Sequence, residues 1–248
     1  MGPEQALLPP APDNPKGFWE HEGLMRLSVE VLKALGRTSA EPRLPFPSRW
    51  EEEPAVCNLL PKARELISSL SEKQPWGWKD PRLCLTLPFW EKALGQLRAV
   101  FVFRQPLAVA HSLKKRGGFT LEKGLVLWAQ YVYSALSHLR GKPFVTVQFE
   151  RCFRDLEATV LKLAGFLQLS PTPEIFEAVR DFRDEALWHH RQALFPGKAL
   201  QKQFSQIFLA FRLLKAVYHM PASGFWACHA IPVLLRPLAL GGAGEDKN

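Results

Sequence analysis

Leu24, Leu27, Val31 and Leu35 recur three or four residues apart, and Gly36 follows them. That spacing predicts a helix entered near Glu20 and closed by the glycine. Residues 37–54 are rich in proline and read as a surface loop, after which residues 56–70 resume a helical period. Residues 76–79 predict a short strand, and a helix follows around residues 88–95. The β-branched and aromatic run before Arg104, residues 98–103, is the clearest strand of the chain. Pro106 then stands where a helix can begin, because a proline at the first helical position loses no hydrogen bond. Helices over 106–115 and 121–139 lead to a turn at Gly141-Lys142-Pro143 and a second clear strand over 144–149. A helix over 156–167, a break at Ser170-Pro171-Thr172-Pro173, a helix over 174–182 and a long helix over 199–218 complete the pattern. Strands alternating with helices at these lengths predict an α/β fold, a parallel sheet flanked by helices on both faces.

Composition narrows the class further. At 248 residues, 47% hydrophobic and 23% charged, the chain is long enough for a single globular domain over residues 1–248, in which residues 199–248 form a C-terminal helix and tail. A formal net charge of +8 supplies a field suited to an anionic ligand. No basic–aromatic motif accompanies that charge, so nucleic acid is not the expected partner. Four scattered cysteines without a C-x-x-C pair predict neither a zinc site nor a disulfide framework, and suit a reducing, cytoplasmic setting. His189-His190-Arg191 lacks the spacing of a metal site. No signal peptide is visible. Residues 216–235 carry no Lys, Arg, Asp or Glu, but Pro221, Gly224 and Pro232 interrupt them. They read as a packed cover or an interface segment rather than a membrane span.

The chemistry concentrates at Arg104. A cation at the carboxyl end of a central strand lies where open α/β sheets bind ligands. Its planar fork suits a phosphate, and Ser112 follows eight residues later. This strand-Arg-x7-Ser segment, with Asn14 to His21, Trp78-Lys79-Asp80-Pro81-Arg82 and Phe149-Glu150-Arg151-Cys152 in the same order, resembles the sulfotransferases that use 3′-phosphoadenosine 5′-phosphosulfate (PAPS). The likeness runs over roughly residues 7–170. It implies a P-loop NTPase-like sulfotransferase fold with PAPS as co-substrate and no metal. It implies that Arg104 and Ser112 hold the 3′-phosphate and that Phe149 lies near the adenine. Lys198, after Pro196-Gly197, would belong to a late basic loop closing over the nucleotide. The family's opening strand and Gly-rich loop, of the form Arg-Ser-Gly-Thr, have no counterpart here, so the sheet is expected to lack its first strand. Met1 reads as a start inside the domain.

Sulfuryl transfer needs a base for the acceptor's proton and a cation for the spreading negative charge. The resemblance points to Lys79 as the cation and Glu20 as the base, with His21 and His111 as alternatives to Glu20. Asp80 would orient Lys79 or serve as a second base; Arg82 would hold an anionic group or lie on the surface. Each also has a plain reading: a helix-entry carboxylate for Glu20, a turn aspartate for Asp80, a solvated lysine for Lys79 and a core residue for Phe149. Glu150 is expected to brace its corner. Trp50, Trp76, Trp78, Trp90, Trp128 and Trp188 suit a core better than a carbohydrate surface. The acceptor, whether sugar, lipid, small alcohol or peptide, is not written in these residues. Two functions remain: sulfuryl transfer from PAPS to a hydroxyl or amine, and a truncated or degenerate, non-catalytic relative with residual nucleotide binding.

Overall fold

The structure, a computed structural model, describes residues 3–12, 14–71, 75–184, 197–217 and 223–240. It is an α/β protein, mostly helical, with one small parallel sheet of two strands among the described residues. The chain divides into two compact units, Met1–Leu97 with Ala239–Asn248, and Arg98–Leu238.

The first unit is helical. Helix α1 (Glu22–Ala34) buries Leu24, Leu27 and Val31 on the face their spacing foretells. His21 caps it by accepting the Leu24 N–H on Nδ1 at 3.3 Å. Gly36, at φ +66°, follows its end. The predicted helix over 56–70 is two helices, α2 (Pro54–Cys57) and α3 (Leu60–Ser71). Their junction precedes Pro61, which suits the start of a helix and not its interior. Helix α4 (Leu83–Leu94) opens earlier than its pattern suggested and carries Pro88 within it. The core joins Leu24, Leu27, Val31, Trp50, Val56, Phe89 and Trp90, and the Trp90 indole donates to Ser28 Oγ at 3.2 Å. Truncating Leu27, which has no exposure, would cost about 2–5 kcal/mol.

The strand expected over residues 76–79 is absent. The segment has the alternation of a strand, with Trp78 5.5 Å from Trp90, yet it has no ladder partner among the described residues. Alternation reports which side chains enter the core; pairing needs a second backbone within reach.

The second unit is built around β1 (Ala99–Phe103) and β2 (Phe144–Gln148), parallel and in register from Ala99 opposite Phe144 to Phe103 opposite Gln148. Parallel neighbours need a crossover, here α5 (Pro106–Gly117) and α6 (Leu121–His138). Those two helices approach closely at Gly124, where a Cβ would come within 2.8 Å of the Ala110 Cα. After β2 come α7 (Arg151–Arg154), α8 (Leu156–Leu167), α9 (Pro173–Phe182), α10 (Lys198–Gln203), α11 (Ser205–Val217) and α12 (Ser223–Leu240). The single long helix expected over 199–218 is broken at Phe204, which turns into the core at 4% exposure.

Helices pack against both faces of this sheet, but Val100 and Val102 of β1 stay exposed at 38% and 55%. Phe101 and Phe103 are buried on one face, where Phe103 meets Phe211 of α11 edge-on at 6.1 Å. On the other, Arg98 donates to the Phe166 carbonyl at 2.7 Å and to Gln168 at 2.8 Å, at the end of α8. No described helix is long and apolar enough to cross a membrane. Much of the uncharged segment over 216–235 falls in α12, which buries Ile231 and Leu235 despite Pro232 and Pro237.

Candidate functional site

The candidate residues fall in two places. One is the turn where β1 hands over to α5. Gln105 caps α5, its side-chain oxygen accepting the Ala108 N–H. The Gln105 N–H donates to Glu150 Oε1 at 3.0 Å, and Glu150 Oε2 accepts from Gln148 Nε2 at 3.0 Å. Glu150, 7% exposed, therefore ties the end of β1 to the end of β2, the bracing role its sequence position suggests. The Arg104 carbonyl accepts the Trp128 indole N–H at 3.0 Å, and the Phe149 N–H donates to the Phe103 carbonyl at 2.9 Å. This frame holds both backbones that present Arg104 and Phe149.

The Arg104 guanidinium lies over the Phe149 ring, 4.5 Å from its centroid. A cation over an aromatic face gains from the ring quadrupole. Burial lowers the Arg104 pKa below the ordinary arginine value, and the nearby Glu150 charge opposes that shift. Arginine's ordinary value is so high that the group stays charged throughout the working range. Ser112 is half-buried on α5, about 9 Å along the axis from Pro106. Lys198 is the exposed first residue of α10, so it sits at the mouth of a short helix. His111 is half-buried beside Ser112.

The other place is a charged cluster in the first unit. Gly17 at φ +83° and Trp19 at φ +55° turn the chain before α1. The Leu8 N–H then binds the Glu20 carbonyl at 2.8 Å and fixes Glu20 just ahead of the cap. Glu20 Oε1 accepts from Lys79 Nζ at 2.7 Å, and Oε2 from Arg82 Nη1 at 3.1 Å. The same Nη1 reaches Asp80 Oδ1 at 2.7 Å, and the Arg82 N–H reaches that oxygen at 2.9 Å. Lys79 is thus bound by Glu20, while Asp80 engages Arg82. The side chains of Glu20 and Asp80 are 8% and 1% exposed, that of Lys79 54%.

Burial raises the Asp80 pKa; Arg82 opposes that and the Glu20 charge adds to it. Burial would depress Arg82, but its contacts with Asp80 and Glu20 outweigh this and hold it above its ordinary value. Asp80 Oδ2, Arg82 Nε and Trp78 Nε1 are buried with no hydrogen-bond partner among the described residues. Burial also pushes the Cys84 thiol, on the next turn, up to about 12, so it stays protonated and unreactive at neutral pH.

The structure brings Glu20, Lys79 and Asp80 into one cluster through Arg82, which sequence reasoning left divided between anion binding and the surface. Its i, i+2 spacing from Asp80 across a proline turn was the available signal. Nor did that reasoning single out Gln105, although a polar residue directly before Pro106 is a capping signature. Trp50, Trp90 and Trp128 are buried, and Trp76 stacks on Trp78 with 5.5 Å between ring centres. Trp188, His189, His190 and Arg191 lie outside the described residues. No group of three or more His, Cys, Asp or Glu among the described residues could hold a metal. Compared with known proteins, the chain matches no protein-family model, no curated protein and no solved structure.

Proposed function

We propose that the chain binds PAPS and transfers its sulfuryl group to a hydroxyl or amine. One observation carries the reading: Arg104 stands at the carboxyl end of β1 with its guanidinium 4.5 Å from the centroid of the Phe149 ring, a cation beside an aromatic face at the strand end. On this reading Arg104 and Ser112 take the 3′-phosphate, Phe149 packs near the adenine, and Lys198 adds charge to the nucleotide. The two-stranded sheet with helices on both faces is then part of a P-loop NTPase-like sulfotransferase fold lacking its first strand.

For transfer, the acceptor oxygen or nitrogen attacks sulfur in line, the S–O bond to the bridging phosphate oxygen breaks, and adenosine 3′,5′-bisphosphate leaves. The resemblance gives Lys79 the role of cation for the leaving oxygen and Glu20 that of base for the acceptor's proton. Asp80 holds Arg82 in place.

A second reading, nucleotide binding without catalysis, is favoured by Glu20 itself. Both its oxygens are engaged by cations of its own chain, as those of a purely structural carboxylate would be. Incubation with labelled PAPS and a panel of sugar, lipid, small-alcohol and peptide acceptors separates the two. Label in the acceptor, reduced more in turnover than in donor binding by Lys79→Ala, supports transfer. Saturable donor binding with no labelled product supports the second reading. Absence of both contradicts the two together.

A further inference from the structure

One nitrogen, Arg82 Nη1, bridges two buried carboxylates, Glu20 Oε2 at 3.1 Å and Asp80 Oδ1 at 2.7 Å. A guanidinium carries its N–H donors in a planar fork, and its strongest seat on a carboxylate is a pair of parallel bonds. Neither carboxylate receives that pair here. Arg82 Nε is a donor and Asp80 Oδ2 an acceptor; both are buried, and neither has a hydrogen-bond partner among the described residues. The two atoms belong to side chains already in contact, and their chemistry is complementary.

Asp80 is held ready for such a seat. The Arg82 backbone N–H donates to Oδ1 at 2.9 Å, which fixes that oxygen across the turn at Pro81. The Asp80 side chain is 1% exposed and that of Arg82 21%, so the carboxylate is the enclosed member and the guanidinium the one with room to turn. Lys79 has no such alternative: among the described residues it pairs with Glu20 alone, at 54% exposure.

The balance between the two carboxylates depends on charge. While Glu20 is ionised, Arg82 gains from both. A neutral Glu20 still offers an oxygen, but the bond to it loses its charge assistance, which roughly halves its strength. Asp80 then becomes the better partner.

We propose that Asp80 is a positioning residue for the base: when Glu20 takes the acceptor's proton, Arg82 turns from Glu20 and closes a two-bond fork on Asp80, with Nε on Oδ2. The proton passes from the acceptor's O–H or N–H to a Glu20 oxygen, and every other change at the cluster is an exchange of hydrogen bonds. Arg82 keeps a counter-charge in both arrangements, while Lys79 is freed from Glu20 as the leaving oxygen gathers charge. This rests on the reading of Glu20 as the base.

Crystal structures of Glu20→Gln and Glu20→Ala in the full chain test the exchange without donor or acceptor. The amide stands for the protonated carboxyl, and the alanine removes the competing group. In both, Arg82 Nε is expected about 2.7–3.2 Å from Asp80 Oδ2. A guanidinium that has not moved in either variant overturns the proposal. Urea unfolding supplies a second reading in solution, with Arg82→Ala, Asp80→Asn and the pair placed in the unaltered and Glu20→Gln backgrounds. The Arg82–Asp80 coupling, read as a ratio of unfolding constants, should rise at least about fivefold in Glu20→Gln, because the fork adds a hydrogen bond. A static bridge predicts no rise, and that result also overturns the proposal. The PAPS assay separates the two readings: labelled product without the exchange overturns this proposal alone, and the exchange without labelled product overturns transfer and, with it, the role given to Asp80.

Discussion

Two cation-bearing corners, one in each unit, were legible in the same sequence, and they differ in how their charge is spent. Around Glu20 and Arg82, carboxylates and cations compensate one another: Lys79 and Arg82 share Glu20, and Arg82 also serves Asp80. Around Arg104 the neighbouring carboxylate, Glu150, gives both oxygens to neutral N–H groups, and the guanidinium rests over a ring. The first arrangement stabilises its own local structure. The second seats its cation on an aromatic face, while the carboxylate beside it bridges the ends of two strands.

The comparison breaks most visibly at Arg82. Arg82→Ala leaves Asp80 buried without its counter-charge, and the loss of one partner from a buried pair costs about 3–5 kcal/mol. Urea unfolding should show it, and the Asp80→Asn background should recover part of the loss, since the two residues are coupled. An equal loss in both backgrounds would mean the pair contributes nothing jointly. At the other corner, Glu150→Ala strands the buried Gln105 N–H and should cost about 1–3 kcal/mol. It should also weaken nucleotide binding, because it loosens the frame that carries Arg104 and Phe149. Full stability with unchanged binding would remove Glu150 from that frame.

Protonation sharpens the contrast on a smaller scale. Asp80 has a folded-state pKa above its unfolded value, so folding favours its protonated form. Its contribution is fullest below the usual carboxylate range and falls as pH rises through the folded value. The stability gap between the unaltered chain and Asp80→Asn should therefore narrow as pH rises from about 4. A constant gap would show that Asp80 does not titrate in this way. His21 behaves oppositely. Burial lowers its pKa, so its contribution is whole above about 6.5 and declines as pH falls through the folded value. His21→Ala should cost about 1 kcal/mol at neutral pH through loss of the α1 cap, and less in acid.

These details mark the limit of what the sequence conveys. The period of Leu24, Leu27 and Val31 and the alternation around Phe101 and Phe103 describe burial, so α1, β1, β2 and α8 were readable directly. The segment over 76–79 was misread because burial alternation was taken for pairing. The long C-terminal helix was misread because the break at Phe204 is made by tertiary packing, which propensity does not record. Arg104 and Phe149 were singled out separately by the likeness; their contact was not foreseen, and it depends on Glu150 and Gln105, whose bonds join segments 45 residues apart. Pattern analysis sees one segment at a time.

The account rests on Arg104 as the anchor for a phosphate, and calorimetric titration of adenosine 3′,5′-bisphosphate tests that most directly. Saturable binding to the unaltered chain, weakened by on the order of 2 kcal/mol, about thirtyfold, in Arg104→Ala, is the predicted result. Equal affinity of the two proteins, or no binding by either, would contradict it.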